Sequence, residues 1–388
     1  MTMKFKKIVG FLHLWLGLIS GLVVLFLGLT GCILAFEKEI TSLTNRYQYA
    51  KAENRAPMLP SELKPLAEKA LPGKHPHSVL YQEGKSVQAI FYGEGYYDIV
   101  YLNPYSGAVL KVKDMSRDFF RFIINGHYNL WLPIPVGQPI VASATLIFFI
   151  MMISGLILWW PRNKAARKQR FKVKWNVRWR RKNYDLHNVL GFYMTWIGIF
   201  LAITGLVMGF QWFAKGFYLL TSGGKPMTAY FEPASVKKPL ESTVPAVDAV
   251  YAKMNILYPA AETIEIHFPE SDTATIAGAA NPIAGTYWKV SYRYFDQYSL
   301  KEIPVNHAFG NFEKTDLAQK ISRMNYDVHV GSIGGLPTKI LAFFGSLIAA
   351  SLPVTGFLIW WGRKKRKTTR GEAVGDQRNV GMKEKQLI

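Results

Sequence analysis

Four long apolar stretches interrupt an otherwise polar chain, at residues 8–37, 139–161, 185–213 and 336–362. Each exceeds the ~20 residues that an α-helix needs to cross a ~30 Å hydrocarbon layer, so the pattern predicts four transmembrane helices. Trp159-Trp160 and Trp360-Trp361 close the second and fourth stretches, where amphipathic rings favour the headgroup level. The two long connections, 38–138 and 214–335, have a different rhythm. Each opens on a helix-like stretch, Pro60–Leu71 and Val244–Met254, and continues as alternating, strand-like runs such as Ala89–Leu102 and Thr286–Tyr294. Leu102-Asn-Pro-Tyr-Ser-Gly-Ala-Val-Leu110 reads as a hairpin, with turn formers between apolar runs, and Phe295–Leu300 sits at the matching place. Each connection is therefore expected to form a small α+β domain.

The two halves read as copies. LHLWLGLISGLVVLFLGLTGCILAF, from Leu12, aligns without a gap on LHNVLGFYMTWIGIFLAITGLVMGF, from Leu186. His13 falls on His187, Gly17 on Gly191, Thr30-Gly31 on Thr204-Gly205 and Phe36 on Phe210. With one gap, His127 and Gly155-Leu-Ile-Leu-Trp-Trp160 fall on His329 and Gly356-Phe-Leu-Ile-Trp-Trp361. Spans one and three start on the same side, so the repeat is parallel, about an axis along the membrane normal. The expected fold is a four-helix transmembrane bundle carrying two extracytoplasmic α+β domains.

Charge orients this arrangement. The formal net charge is +21, while 49% of residues are apolar and 14% aromatic, which agrees with apolar spans and basic loops. Lys4, Lys6 and Lys7 precede span one, segment 162–184 is dense in Lys and Arg, and Arg363–Lys367 opens the tail 363–388. These segments are expected to face the cytoplasm, which puts 38–138 and 214–335 in the periplasm of a bacterial inner membrane. A nucleic-acid role does not account for the apolar runs; the basic segments read as topology determinants in contact with lipid headgroups. Leu29-Thr-Gly-Cys32 after Lys4–Lys7 imitates a lipoprotein signal, but the apolar run is longer than the usual 7–15 residues, so the segment is expected to be a retained span. The one cysteine, Cys32, excludes an intrachain disulfide, and no CxxCH is present for covalent haem attachment.

Four of the eight histidines lie at repeat-equivalent positions beside the spans. His13 and His187 enter spans one and three from the cytoplasmic side; His127 and His329 precede spans two and four on the outer side. Ionisable residues in spans are functional candidates, and imidazole is a common axial ligand of haem iron. Each pair is a candidate to hold one b-type haem without covalent attachment. Gly17 and Gly191, four residues after their histidines on the same helix face, would let a flat macrocycle approach the backbone. Lys6, Lys7, Arg180 and Arg181 are candidate partners for its propionates. The competing interpretation is an interfacial histidine satisfied by water or backbone, with glycine serving helix packing alone. His75, His77 and His267 are expected at the surface of the outer segments, and His307 in a loop.

With these residues in view, the chain resembles the PepSY-associated transmembrane proteins over nearly its whole length. The Leu-His entries to spans one and three carry the resemblance, with His127…Thr145–Leu-Ile-Leu-Trp-Trp-Pro-Arg162 and His329…Gly334-Gly335-Leu-Pro337…Val354-Thr-Gly-Phe-Leu-Ile-Trp-Trp361. Asn103-Pro-Tyr-Ser-Gly107 is similar to the family's Asp-Pro-x-Thr-Gly turn, whereas Asp296-Gln-Tyr-Ser-Leu300 lacks its proline and glycine. Within the family the chain looks most like the FoxB-type inner-membrane ferric-siderophore reductases. That resemblance implies two b haems, iron ligation by His13, His127, His187 and His329, and reduction of iron on the periplasmic side; it leaves the pairing of the four open.

The expected function is transmembrane electron transfer, from an inner haem held by His13 and His187 to an outer one held by His127 and His329, and on to a ferric siderophore. Iron release follows because hard siderophore oxygens prefer Fe(III) to Fe(II). No nicotinamide or flavin motif is visible, so the donor is a membrane quinol or a separate cytoplasmic reductase. The alternatives are a membrane-anchored peptide- or protein-binding module and a transporter component; inside their terminal residues Glu37 and Asp185 the spans lack acidic residues, and they have few helix breaks besides Pro353.

The charge pattern predicts that reporters fused after Lys113 or Glu270 are active only as periplasmic reporters, and fusions within 162–182 only as cytoplasmic ones. A cytoplasmic signal from either long connection would overturn the orientation.

Overall fold

The structure, a computed structural model, describes residues 3–161, 167, 170–237 and 244–384. Much of the basic segment 162–184 that orients the chain, at 162–166, 168 and 169, lies outside the described residues, as does the end of the basic tail, 385–388. The chain divides into a helical unit, residues 1–32, 127–209 and 340–388, and a sheet unit, residues 33–126 and 210–339.

Among the described residues, four helices are long and apolar enough to cross a membrane: Met3–Ala35, Ile134–Trp159, Trp179–Gly209 and Leu336–Glu384, the last spanning as far as Lys364. All four expected spans are present with shifted ends. The first and third helices stop at Phe36 and Phe210, which leave helical geometry, and short helices Glu37–Thr44 and Gln211–Thr221 follow. The third begins at Trp179, earlier than expected, and adds Arg181, which pairs at 3.0 Å with the buried Asp185 at the edge of the expected span. Ile19, Leu22, Trp196 and Phe200 are exposed, as suits helices whose outer faces meet lipid rather than water. Contacts between the helices use small residues. A side chain at Gly28 would run into Ser346 and Ala350, and one at Gly209 into Ala142. Met152, Met194, Ala202 and Ala349 fill the centre.

Among the described residues of the sheet unit, eight antiparallel strands form one sheet, the four of the first connection in reverse chain order followed by the four of the second in chain order. The first connection supplies β1 (Ser78–Gln82), β2 (Val87–Gly93), β3 (Tyr96–Leu102) and β4 (Val109–Asp114). The second supplies β5 (Thr263–His267), β6 (Thr275–Asn281), β7 (Ser291–Asp296) and β8 (Glu302–Ile303). The two connections, expected as two α+β domains, share this one sheet: β1 pairs with β5 from Ser78 opposite His267 to Gln82 opposite Thr263. The reason is an edge. Each meander leaves its first strand with unpaired backbone groups, and pairing the two first strands satisfies both. Helices Pro60–Ala70 and Ala246–Leu257 lay Leu63, Ala67, Val250 and Met254 on a common core with Val79, Phe91, Ile266 and Phe295. Gly278 is needed beneath Met254, whose Cγ would lie 2.6 Å from an added Cβ.

Both expected hairpins form by one device. Asn103 Oδ1 accepts from the amides of Tyr105 and Ser106, and Gly107 follows at φ +69°. Asp296 Oδ1 accepts from the amides of Tyr298 and Ser299, and Leu300 follows at φ +55°. The second turn keeps its shape without glycine, at the steric cost of a left-handed leucine.

Asp248 joins the helices of the two halves, accepting from the Ser61 amide at 2.9 Å and the Ser61 hydroxyl at 2.5 Å. Asp248→Ala leaves both donors without their acceptor and is expected to destabilise the sheet unit by about 2–3 kcal/mol. The measurement is the thermal unfolding midpoint of the full chain in detergent, with Asp248→Asn recovering part of the loss. An unchanged midpoint for the alanine variant contradicts the clamp.

Candidate functional site

All four membrane-length helices line one cavity of about 420 Å³, within the range of small-molecule sites. His13 and His187 both stand in its wall, as do Gly17 and Gly191. Further glycines, Gly10, Gly21, Gly155 and Gly356, lower the walls around them. The remaining surface is largely apolar, with Leu14, Phe148, Met152 and Leu352 among its side chains.

The two imidazoles are held alike. His13 Nδ1 lies 2.8 Å from Ser154 Oγ, and His187 Nδ1 lies 2.8 Å from Thr355 Oγ1. A hydroxyl has one proton to give. Ser154 donates it to the Met151 carbonyl at 3.0 Å, and Thr355 to the carbonyls of Ser351 and Leu352, each at 3.0 Å. Each hydroxyl oxygen must then accept from imidazole Nδ1–H. That assignment leaves Nε2 as the lone-pair nitrogen of both rings. The residue after each hydroxyl is a glycine against which the ring sits: an added Cβ would meet His13 Cε1 at 3.5 Å from Gly155 and His187 Cε1 at 3.3 Å from Gly356. Gly17 faces Met151, and Gly191 faces Leu352. A second-row hydrogen bond that fixes the tautomer is how proteins prepare an imidazole as a ligand. Two such nitrogens in one glycine-walled cavity suit a flat group carrying a metal at its centre.

The other expected ligands are placed separately. His127 belongs to the helical unit, near the end of helix Phe119–Asn129, with Nδ1 2.8 Å from Thr30 Oγ1. Thr30 donates its own proton to the Phe26 and Leu27 carbonyls, so His127 too is held as the Nδ1–H tautomer. His329 ends helix Leu317–His329 and belongs to the sheet unit. Of the cations expected near a bound acid group, Lys6 donates to the Trp160 carbonyl and Arg181 pairs with Asp185. Arg170 and Arg363 line the cavity instead. The sequence reading missed Ser154 and Thr355, although the alignment of Ser154-Gly155 on Thr355-Gly356 marks them.

Histidines of the sheet unit differ from the surface residues expected. His75 is exposed beside Glu68, but His77 and His267 interact at the β1–β5 junction. His77 Nδ1 donates to Glu270 at 2.7 Å, and its Nε2 lies 3.0 Å from His267 Nδ1. Burial holds the His267 imidazole below the usual histidine range, and its Nε2 is buried without a hydrogen-bond partner among the described residues. His307 is buried, Nε2 donating to the Phe231 carbonyl and Nδ1 accepting from the Phe309 amide. It borders a second, polar cavity of about 380 Å³ with Tyr292, Tyr294, Lys314 and Gln319.

A family model described as the PepSY-associated TM region matches residues 11–363. No curated protein matches the chain.

The hydroxyl bonds predict a tautomer. Nitrogen-15 shifts of the His13 and His187 rings should show Nδ1 protonated and Nε2 bare. Thr355→Val should remove that preference at His187 and cost about 1–3 kcal/mol of stability, with Thr355→Ser restoring both. An Nε2–H tautomer in the native chain contradicts the assignment.

Proposed function

The chain belongs to the PepSY-associated transmembrane-region family, and from that premise we propose that it is a di-haem b electron-transfer protein of a bacterial inner membrane. Its task in this reading is to reduce ferric siderophores on the periplasmic side and release Fe(II), as the FoxB-type ferric-siderophore reductases do. The supporting observation is the pair of imidazoles, His13 and His187, with tautomers fixed so that bare Nε2 atoms serve one glycine-walled cavity. A bound haem would supply one-electron transfer at its iron.

The residues divide the work. His13 and His187 would ligate an inner haem, and Ser154 and Thr355 would keep their rings oriented. Gly155 and Gly356 leave room beside the rings. His127, held by Thr30, would ligate an outer haem, and the resemblance names His329 as a further haem ligand. Two redox sites meet a physical need, since an electron crossing ~30 Å of hydrocarbon requires a stop near each surface. The repeated hydroxyl–histidine–glycine arrangement and the mirrored strand order support a chain built from a duplicated half. The polar cavity beside His307 is where the sheet unit offers a site to a ferric chelate. The electron donor is a membrane quinol or a separate cytoplasmic reductase. In this reading the N- and C-termini face the cytoplasm, which the basic segments of the sequence support, and those segments would meet lipid headgroups rather than nucleic acid.

The purified chain should carry two haems that leave without breaking thioether bonds. His13→Ala and His187→Ala should each lose the same one. In sealed vesicles loaded with reductant, a ferric siderophore added to the periplasmic face should yield Fe(II) to a membrane-impermeant chelator. His329→Ala should abolish that yield while leaving the inner haem reducible. A colourless protein sinks the haem reading and favours a membrane-anchored binding module; a haem protein that yields no Fe(II) from any chelate sinks the reductase reading alone.

A further inference from the structure

The cavity that holds His13 and His187 is polarised. Among the described residues that line it, Arg170 and Arg363 are the only ones with a fixed charge. Neither forms an ion pair with a carboxylate among the described residues, although the nearby Arg181 is paired with Asp185 and Lys6 is bonded to a carbonyl. Arg363 lies two residues beyond the Trp360-Trp361 end of the fourth span, and Arg170 comes from the basic segment beyond the Trp159-Trp160 end of the second. Trp159 and Trp360, side chains that favour the headgroup level, line the same cavity, as does Tyr184 from the start of the third helix. The rest of the wall is mostly glycine and hydrocarbon, with Val24 and Phe148 among its members and Ser20, Asn188 and Thr195 as uncharged polar exceptions beside the two histidines. Two guanidinium groups without acids, at the headgroup end of an apolar slot, fit a ligand with a flat apolar body and carboxylates along one edge. Guanidinium is the side chain best shaped for bidentate carboxylate recognition.

We infer that Arg170 and Arg363 form a carboxylate-binding subsite that receives both acid groups of the cofactor held between His13 and His187. The inference rests on the haem reading above and adds what that reading lacks: which cations fix the cofactor's orientation. Lys6, Lys7, Arg180 and Arg181 have no part in it. Both arginines are positioning residues. They set which edge of the macrocycle faces the aqueous end and oppose escape of the dianion into the bilayer.

The test uses full-length protein produced without haem supply and titrated with haem b and, separately, with its dimethyl ester, which keeps the ring and loses both charges. Binding is scored by difference spectrum on the component that His13→Ala lacks. The native chain should bind the acid about tenfold or more tightly than the ester. The double variant Arg170→Gln/Arg363→Gln should bind both alike, at the affinity the native chain shows for the ester. Lys6→Gln/Lys7→Gln should retain the full preference, which guards against a general effect of positive charge. Equal affinity of the native chain for acid and ester overturns the subsite, as does a preference that survives in the double variant. A chain that binds neither compound overturns the haem reading and this inference with it, whereas loss of preference in the lysine control alone assigns the subsite elsewhere.

Discussion

The hydrogen bond from imidazole Nδ1–H to a hydroxyl that has already spent its own proton is the constraint on which the helical unit's chemistry depends. Ser154 and Thr355 each donate to a carbonyl one turn back on their own helix, so each has only lone pairs to offer a neighbour. His13 and His187 must therefore keep the proton on Nδ1 and leave Nε2 bare. A glycine in the next position lets the ring sit against the helix. Tautomer and ring placement are thus set by two adjacent residues on the opposing span. The same logic reappears where Thr30 back-bonds and receives His127.

The sheet unit meets a different constraint. Four strands from either connection would each leave an edge on β1 or β5, and pairing those edges makes eight strands continuous. Because this junction joins sequence-distant segments, it brings together side chains that look unrelated along the chain. The His77–His267 contact and the Asp248–Ser61 clamp both arise there. Membership of the family accounts for the spans, and the two α+β halves within one sheet show what lies between them.

Much of this was legible in the sequence because it is local or periodic. Four apolar runs of sufficient length gave four helices, and the breaks at Phe36 and Phe210 fall at aligned positions. The turn at Asn103 was readable from its proline and glycine. The turn at Asp296 was readable only by position, since an aspartate and a left-handed Leu300 replace that chemistry. Gly17, Gly191, His13 and His187 were found by repetition and share one cavity. What escaped depends on contacts between distant segments. Ser154 and Thr355 are ordinary helix residues until the histidines of another span reach them. Arg170 is one cation in a basic run, and nothing local separates it from Arg180 or Arg181. The single sheet was hidden because β1 and β5 are far apart in the chain, and each half looks complete without the other.

The measurement that bears most directly on the central claim is near-infrared magnetic circular dichroism of the oxidised, purified chain, supported by electron paramagnetic resonance at low temperature. Two neutral imidazoles bound through Nε2 predict a low-spin ferric signal of bis-imidazole type, with one component missing in both His13→Ala and His187→Ala. A signal of high-spin iron alone, or a bis-imidazole component that survives both substitutions, would contradict the assignment of this cavity to a haem held by His13 and His187.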